Sequence, residues 1–252
     1  MELRSEQGEL NSVQFKGQRN SVPNNKTLNI MNGTEFRFAI MKDKHFYKRK
    51  LPHWQPEEAT FFITYRLAGS LPISVIQKLK EEYLFEKSKS YSQTKEQKEI
   101  LIENYFVAIE SQLEKNLNEP HWLKHEAIAK TVMDSLLFRD KEHYTLWAVC
   151  IMSNHVHILI STLPGSPLLS VILQNHKKFT AVQNNKLLSR TGKFWEEESF
   201  DTLIRNNDHY YNCVNYILQN PVKAGLVKEW HDWKWTYLHS ELEKEFRLDE
   251  NS

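Results

Sequence analysis

The sequence predicts an α+β domain in which an antiparallel sheet carries helices packed on it. Three observations predict this. "TFFITYRL", residues 60–67, is a β-branched and aromatic run with the composition of a strand. "HYTLWAVCIM" and "HVHILIST" are two more strand-like runs, separated only by Ser153–Asn154, a pair suited to a tight turn. Segments with helical spacing separate and follow these runs. The order is strand, helices, strand, strand, helix, short strand, helix.

Residues 1–35 are polar and rich in Asn, Gln and Ser, the composition of a flexible tail. A basic arm follows, with Arg37, Lys42, Lys44, Lys48, Arg49 and Lys50 against the single acid Asp43. It ends in "RKLPHWQP", where Pro52 and Pro56 predict extended chain. After the first strand, "LAGSLP" is a break. Residues 73–87 place Val75, Ile76, Leu79 and Tyr83 on one helical face. A second helix, 97–116, does the same with Leu101, Ile102, Tyr105, Ile109 and Leu113. Residues 71–120 thus read as a helical insertion after the first strand. "EPHWLKHE" is a turn, and 124–139 is a helix with Ile128, Val132, Leu136 and Leu137 inward.

Beyond the paired strands, residues 166–188 form a long amphipathic helix with Pro167 near its first turn, where proline is tolerated. "GKFWEEESFDTLIR" holds a short strand. "NNDHYYNCVNYILQ" is a helix capped by Asn207 or Asp208. It is expected to stop near Asn220, because Pro221 disfavours helical geometry in the residue before it. "PVKAGLV" then makes a further turn and short helix. Residues 36–240 form the expected domain. From Glu241 to Glu250 there are five acids against two bases, so 241–252 reads as an acidic tail.

A chain of 252 residues can bury a substantial core. The net charge of +1 does not announce a nucleic-acid binder; it conceals the basic arm and the acidic tail. Cys150 and Cys213 sit among apolar and aromatic neighbours and read as buried, reduced thiols. No apolar run approaches the roughly 20 residues of a membrane span, and the N-terminus has no apolar signal core. A cytoplasmic protein with no membrane partner is the expectation.

The chemistry-bearing motif is "IMSNHVHILI", residues 151–160. On a strand, residues i and i+2 share a face, so His155 and His157 stand side by side while Val156 and Ile158 point the other way. Two neutral imidazoles so placed can converge on one metal ion. A third ligand must then come from elsewhere, with open positions left for substrate. Mg²⁺ or Mn²⁺ suits such a site, and Zn²⁺ also accepts imidazole. No cysteine pair accompanies the motif, which excludes a structural zinc site of the usual kind.

The tyrosine-rich helix supplies a second group. Tyr210, Cys213, Val214 and Ile217 fall at i, i+3, i+4 and i+7 and make its inward stripe. Tyr216 lies off that stripe, with Asn220 one turn further along the same flank and Gln219 as the competing amide. A phenol is a poor nucleophile at neutral pH, but a phosphodiester polarised by a divalent cation is an electrophile that it can attack.

These residues resemble the single-tyrosine HUH transposases of small insertion sequences, and most closely their REP-associated branch. The resemblance covers roughly residues 48–239. It is carried by "RKLPHWQPEEATFFITYRLAGSLP", "HYTLWAVCIMSNHVHILI", "LQNHKKFTAVQNNKLLSRTGKFWEEESFDTLIR", "YILQNPVKAGLV" and "WKWTYLHS", in that order. It implies a ferredoxin-like α+β fold with a central antiparallel sheet. It implies Mg²⁺- or Mn²⁺-dependent cleavage and joining of single-stranded, hairpin-forming DNA, by a monomer or a homodimer. By the same resemblance, His155, His157 and Asn220 are metal ligands. Tyr216 is the nucleophile, which forms a 5′-phosphotyrosine link and releases a 3′-hydroxyl. No nucleotide cofactor is implied. One position departs from the family's usual pattern: Ser153 stands where proline precedes the Asn-His-Val-His run, a change in a turn and not in a ligand.

Single-strand binders combine cations with aromatic rings. Lys48, Arg49, Lys50, His53 and Trp54 form one candidate patch, and Lys177, Lys178, Arg190 and Lys193 beside Trp195 form another. Both also fit ordinary solvated surface, with Trp54 and Trp195 in the core. Two further functional readings stand beside the transposase. One is a non-cleaving DNA-binding regulator of the same fold; the other is a metal-dependent hydrolase of small phosphoesters.

Overall fold

The alternating patterns condense into a five-stranded antiparallel sheet in the structure, a computed structural model that describes residues 46–48, 52–89, 94–116 and 120–248. The elements are β1 (Phe46–Lys48), β2 (Pro52–Trp54), β3 (Thr60–Leu67), α1 (Ile73–Ser88), α2 (Lys95–Lys115), α3 (Glu126–Leu137), β4 (Tyr144–Ile151), β5 (His155–Thr162), α4 (Leu169–Leu187), β6 (Trp195–Leu203), α5 (Asn207–Lys223), β7 (Thr236–Leu238) and α6 (Ser240–Leu248). The tail at 1–35 and the chain end beyond 248 lie outside the described residues.

The sheet order is β6-β3-β5-β4-β7. Among β3, β4, β5 and β6 taken in chain order, the fourth lies beside the first, the first beside the third, and the third beside the second. All neighbours are antiparallel. With α3 crossing from β3 to β4 and α4 from β5 to β6, this is the ferredoxin-like arrangement. β7 extends it on the β4 edge. The basic segment "FYKRKLPHW" contributes a separate two-stranded ribbon, β1–β2, with Phe46 opposite Trp54.

Strand alternation divides the core in two. Phe61, Ile63, Tyr65 and Leu67 join Val156, Ile158 and Ile160 on one face, under Ile128, Val132 and Leu136 of α3 and Leu169, Ile172 and Leu173 of α4. Phe62 and Leu159 face the opposite layer, under Cys213, Val214, Ile217 and Leu218 of α5, Phe106 of α2 and Leu242 of α6. Both faces are therefore covered, which is why β5 is buried along almost its whole length. No helix among the described residues is long and apolar enough to cross a membrane.

Several local expectations change. α5 is capped by Asn206, whose side chain accepts from the His209 N–H at 2.8 Å, and not by Asn207 or Asp208. It also runs through Pro221 to Lys223, so "PVKAGLV" begins inside this helix. Pro221 sits within the last turn and is buried, so its missing N–H costs one helical bond while its ring packs in the core. Leu137 is exposed and Phe138 more so. The acidic segment after 240 starts as a helix, held by buried Leu242 with Phe246 packed alongside.

Candidate active site

β5 leaves the Ser153–Asn154 turn with its first residue already in the sheet. The Met152 N–H donates to the His155 carbonyl at 2.9 Å and closes the hairpin. Ser153 has its own role in the turn: its hydroxyl bonds His121 Nδ1 at 2.8 Å and its carbonyl accepts from the Leu123 N–H. His155 and His157 are both buried, with ring centroids 4.7 Å apart. His157 pairs across the sheet with Thr64 of β3, and Phe62 stacks on its ring at 5.8 Å.

Hydrogen bonds fix which nitrogen of each ring faces the site. Asn154 Nδ2 donates to the Leu113 carbonyl at 3.0 Å, so Asn154 Oδ1 is the atom facing His155 Nδ1, at 2.7 Å. An amide oxygen only accepts, so Nδ1 carries the proton and His155 Nε2 presents a lone pair. His157 Nδ1 lies 2.8 Å from the Thr64 hydroxyl. With Nδ1 engaged by that hydroxyl, Nε2 of His157 is the nitrogen turned toward Glu110, whose Oε2 lies 3.5 Å away.

Neither Nε2 has a hydrogen-bond partner, although both are buried. A third buried histidine among the described residues behaves differently. His176, on the opposite face, bonds the Tyr65 hydroxyl at 2.8 Å and Ser135 Oγ at 2.9 Å, so both of its nitrogens are engaged. His176 is a satisfied core histidine, whereas His155 and His157 are built as a pair of open donors.

Facing them is Glu110 of α2, which sequence reasoning missed. A carboxylate oxygen of Glu110 and ring nitrogens of His155 and His157 all lie within 4.8 Å of one another, and Glu110 Oε2 is 3.5 Å from His157 Nε2. Glu110 is held by Phe106, one turn earlier, which stacks on Phe200 at 3.9 Å and meets Phe62 edge-on at 6.0 Å. Leu113, three residues later, is buried. The buried face of α2 is thus Phe106–Glu110–Leu113; of the face that Leu101, Ile102, Tyr105, Ile109 and Leu113 suggested, Leu113 is buried and the other four are only half-buried, so the helix is rotated toward Phe106 and Glu110. The i, i+4, i+7 spacing was present in the sequence, with an acid at its centre.

Tyr216 and Asn220 of α5 come to the same place. The Tyr216 hydroxyl donates to Glu110 Oε2, and its ring stands edge-on to His157 at 5.4 Å and to Phe62 at 5.8 Å. It is half-buried rather than displayed on an exposed flank, and Asn220 is fully buried. Gln219, the competing amide, stays partly exposed. Lys223 places its ammonium 5.1 Å from the centre of the Tyr216 ring, a cation at the rim that the sequence did not single out.

Burial dominates the electrostatics. It pushes the Glu110 carboxyl up to about 8; Glu114 adds to the rise, and hydrogen bonds from Tyr216 and Thr64 oppose it. Burial, with the His121 charge second, lowers His155 to about 3, and burial with His155 lowers His157 well below the usual range. The Tyr216 phenol is held far above its ordinary value by burial, then by the Glu110 charge. The Asn220 amide opposes this without a hydrogen bond of normal geometry. Two neutral imidazoles, a carboxyl and an amide converging in a buried space form a donor set that fits a divalent cation.

Arg49 and Lys50 lie outside the described residues; Lys48, His53 and Trp54 belong to β1 and β2 by backbone only. In the second patch, the Lys177 ammonium is tied to Ser199 Oγ at 2.7 Å and to the Glu196 carbonyl at 3.1 Å. Arg190 lies 4.0 Å over the Trp122 ring and bonds Asn185, and Lys193 pairs with Glu196 at 2.7 Å. Trp195 is core, with its indole N–H on Thr180. Lys178 is exposed.

No protein-family model matches the chain. Two curated proteins align with parts of it. One, from Haemophilus influenzae, provisionally named a REP-associated tyrosine transposase, is 26% identical over 115 residues, 41% of this chain and 65% of that protein. The other, the REP-associated tyrosine transposase of Escherichia coli K12, is 38% identical over 48 residues, 19% of this chain and 29% of that protein. By sequence, this chain resembles REP-associated tyrosine transposases. The chain spans less than two thirds of the length of these relatives. A solved structure of a REP-associated tyrosine transposase bound to a REP hairpin aligns with a TM-score of 0.43 and 18% identity, over 75% of this chain and 80% of that one.

Proposed function

We propose that this chain is a REP-associated tyrosine transposase that nicks and joins single-stranded, hairpin-forming DNA. The observation that carries the reading is the convergence of two open imidazole Nε2 atoms with the Tyr216 hydroxyl on one face of the sheet. Tyr216 is the nucleophile: its Oη bonds to the scissile phosphorus, the bond to the 3′-oxygen breaks, and a 5′-phosphotyrosine and a 3′-hydroxyl result. Rejoining reverses these steps, so no nucleotide cofactor is consumed. The hydroxyl already donates to Glu110, so a charged carboxylate there is placed to take its proton. His155, His157 and Asn220 would hold Mg²⁺ or Mn²⁺, and the chemistry such an ion would supply is polarisation of the phosphoryl oxygens. The basic arm (Lys48, Arg49, Lys50, His53, Trp54), with Lys178 and Lys223, contacts the strand. Lys177, Arg190 and Lys193 shape the second patch through the contacts given above. The protein works in the cytoplasm, as a monomer or a homodimer.

The test is a labelled single-stranded hairpin oligonucleotide incubated with the protein and Mn²⁺, then run on a denaturing gel. A covalent adduct lost in Tyr216→Phe supports the transposase. Sequence-specific binding without adduct under any divalent metal favours a non-cleaving regulator instead.

A further inference from the structure

We infer that Glu110, carried by the helical insertion, is a further protein ligand of the cation, so that the insertion is part of the active site. This rests on the metal-dependent reading above and deepens it. Glu110 is the only buried acid among the described residues, whereas Glu103 of the same helix is half-exposed and Glu114 and Lys115 are exposed. No lysine or arginine of the described residues pairs with it; Nε2 of the His157 ring lies 3.5 Å from its Oε2. Its Oε1 is buried with no hydrogen-bond partner, as are Nε2 of His155 and Nε2 of His157. A carboxylate oxygen and one nitrogen from each ring lie within 4.8 Å of one another, close to the ~4.5 Å spread of ligands around one ion with bonds of roughly 2.2 Å.

Buried acceptors turned toward one another repel, and proteins tolerate them where a cation or a proton sits between. The placement is also braced from outside. Phe106 locks α2 against Phe62 and Phe200, and Asn154 ties the Leu113 carbonyl of α2 to Nδ1 of His155. The same side chain that orients the first imidazole thus anchors the helix that brings the carboxylate. The Oε2 atom that lies 3.5 Å from His157 Nε2 also accepts the Tyr216 hydroxyl, so the carboxylate that would meet the cation also holds the nucleophile. Two imidazoles, one amide and one carboxylate would still leave positions of a six-coordinate ion open for the phosphate.

Binding of Mn²⁺ to the full chain, read from the free-ion electron paramagnetic resonance signal, tests the inference without DNA or turnover. Wild type, Glu110→Gln and His157→Ala are compared, with circular dichroism confirming that each is folded. Glu110→Gln is expected to weaken Mn²⁺ binding about tenfold or more. A Glu110→Cys variant titrated with Cd²⁺ is expected to show a sulfur-to-metal charge-transfer band in the near ultraviolet that wild type lacks. If His157→Ala loses Mn²⁺ while Glu110→Gln keeps wild-type affinity and Glu110→Cys gives no band, Glu110 is not a ligand and the metal site stands without it. If wild type and His157→Ala alike bind no Mn²⁺, the metal reading itself fails and this inference falls with it.

Discussion

Replacing Glu110 by glutamine should stabilise the metal-free protein, and increasingly so as pH rises. Burial lifts the carboxyl from 4.5 to about 8. A pKa raised on folding means that the stability is fully present below about 4.5 and is lost as pH climbs through 8. Each pH unit in that window costs ~1.4 kcal/mol, so the wild type forfeits about 3 kcal/mol by pH 7 and about 5 kcal/mol above pH 9. Glutamine keeps the shape and an acceptor for Tyr216 but has no proton to lose. Thermal unfolding in EDTA, followed by circular dichroism at pH 5, 7 and 9, reads the difference. The variant's midpoint should move from near coincidence at pH 5 to roughly 6–12 °C above wild type at pH 7. Parallel curves with a constant offset would refute the reasoning, because they would mean that Glu110 is as easily ionised in the fold as in water.

The histidines predict the opposite slope. His155 falls from 6.5 to about 3 through burial, so the unfolded chain gains a proton that the fold refuses, and stability drops as pH falls below 6.5. Relative to His155→Gln, the metal-free wild type should lose about 2 kcal/mol by pH 5, measured by urea titration at each pH. Phe106→Ala should cost about 3–5 kcal/mol in the same assay, since the ring is buried between Phe62 and Phe200. It should also weaken Mn²⁺ binding, because it frees the turn that carries Glu110.

The strands and the histidine face were legible because a period of two with apolar neighbours leaves little choice: Val156 and Ile158 had to face one layer, and His155 and His157 the other. The ferredoxin-like order was legible only through the family resemblance, since nothing in a strand's composition says which strand it joins. Glu110 escaped because the insertion helix was oriented by its most apolar residues. On this helix Ile102, Tyr105 and Ile109, each only half-buried in the fold, outweigh by composition a stripe with an acid at its centre. Pro221 was read as a stop because local sterics were weighed without the tertiary packing that holds it inside α5. β7 has three residues and exists by pairing with β4, a long-range contact that no window of sequence contains. Charge counting also cannot see that Lys177, Arg190 and Lys193 of the second basic patch are engaged by Ser199, Asn185 and Glu196.

Tyr216 is expected to become covalently joined to DNA. The most direct measurement is mass spectrometry of the trypsin- and nuclease-trimmed product of the protein with a single-stranded hairpin substrate and Mn²⁺. The account predicts a nucleotide remnant on the Tyr216 hydroxyl. A remnant on Tyr210 or Tyr211, or a cleaved strand with no remnant on the protein, would contradict it.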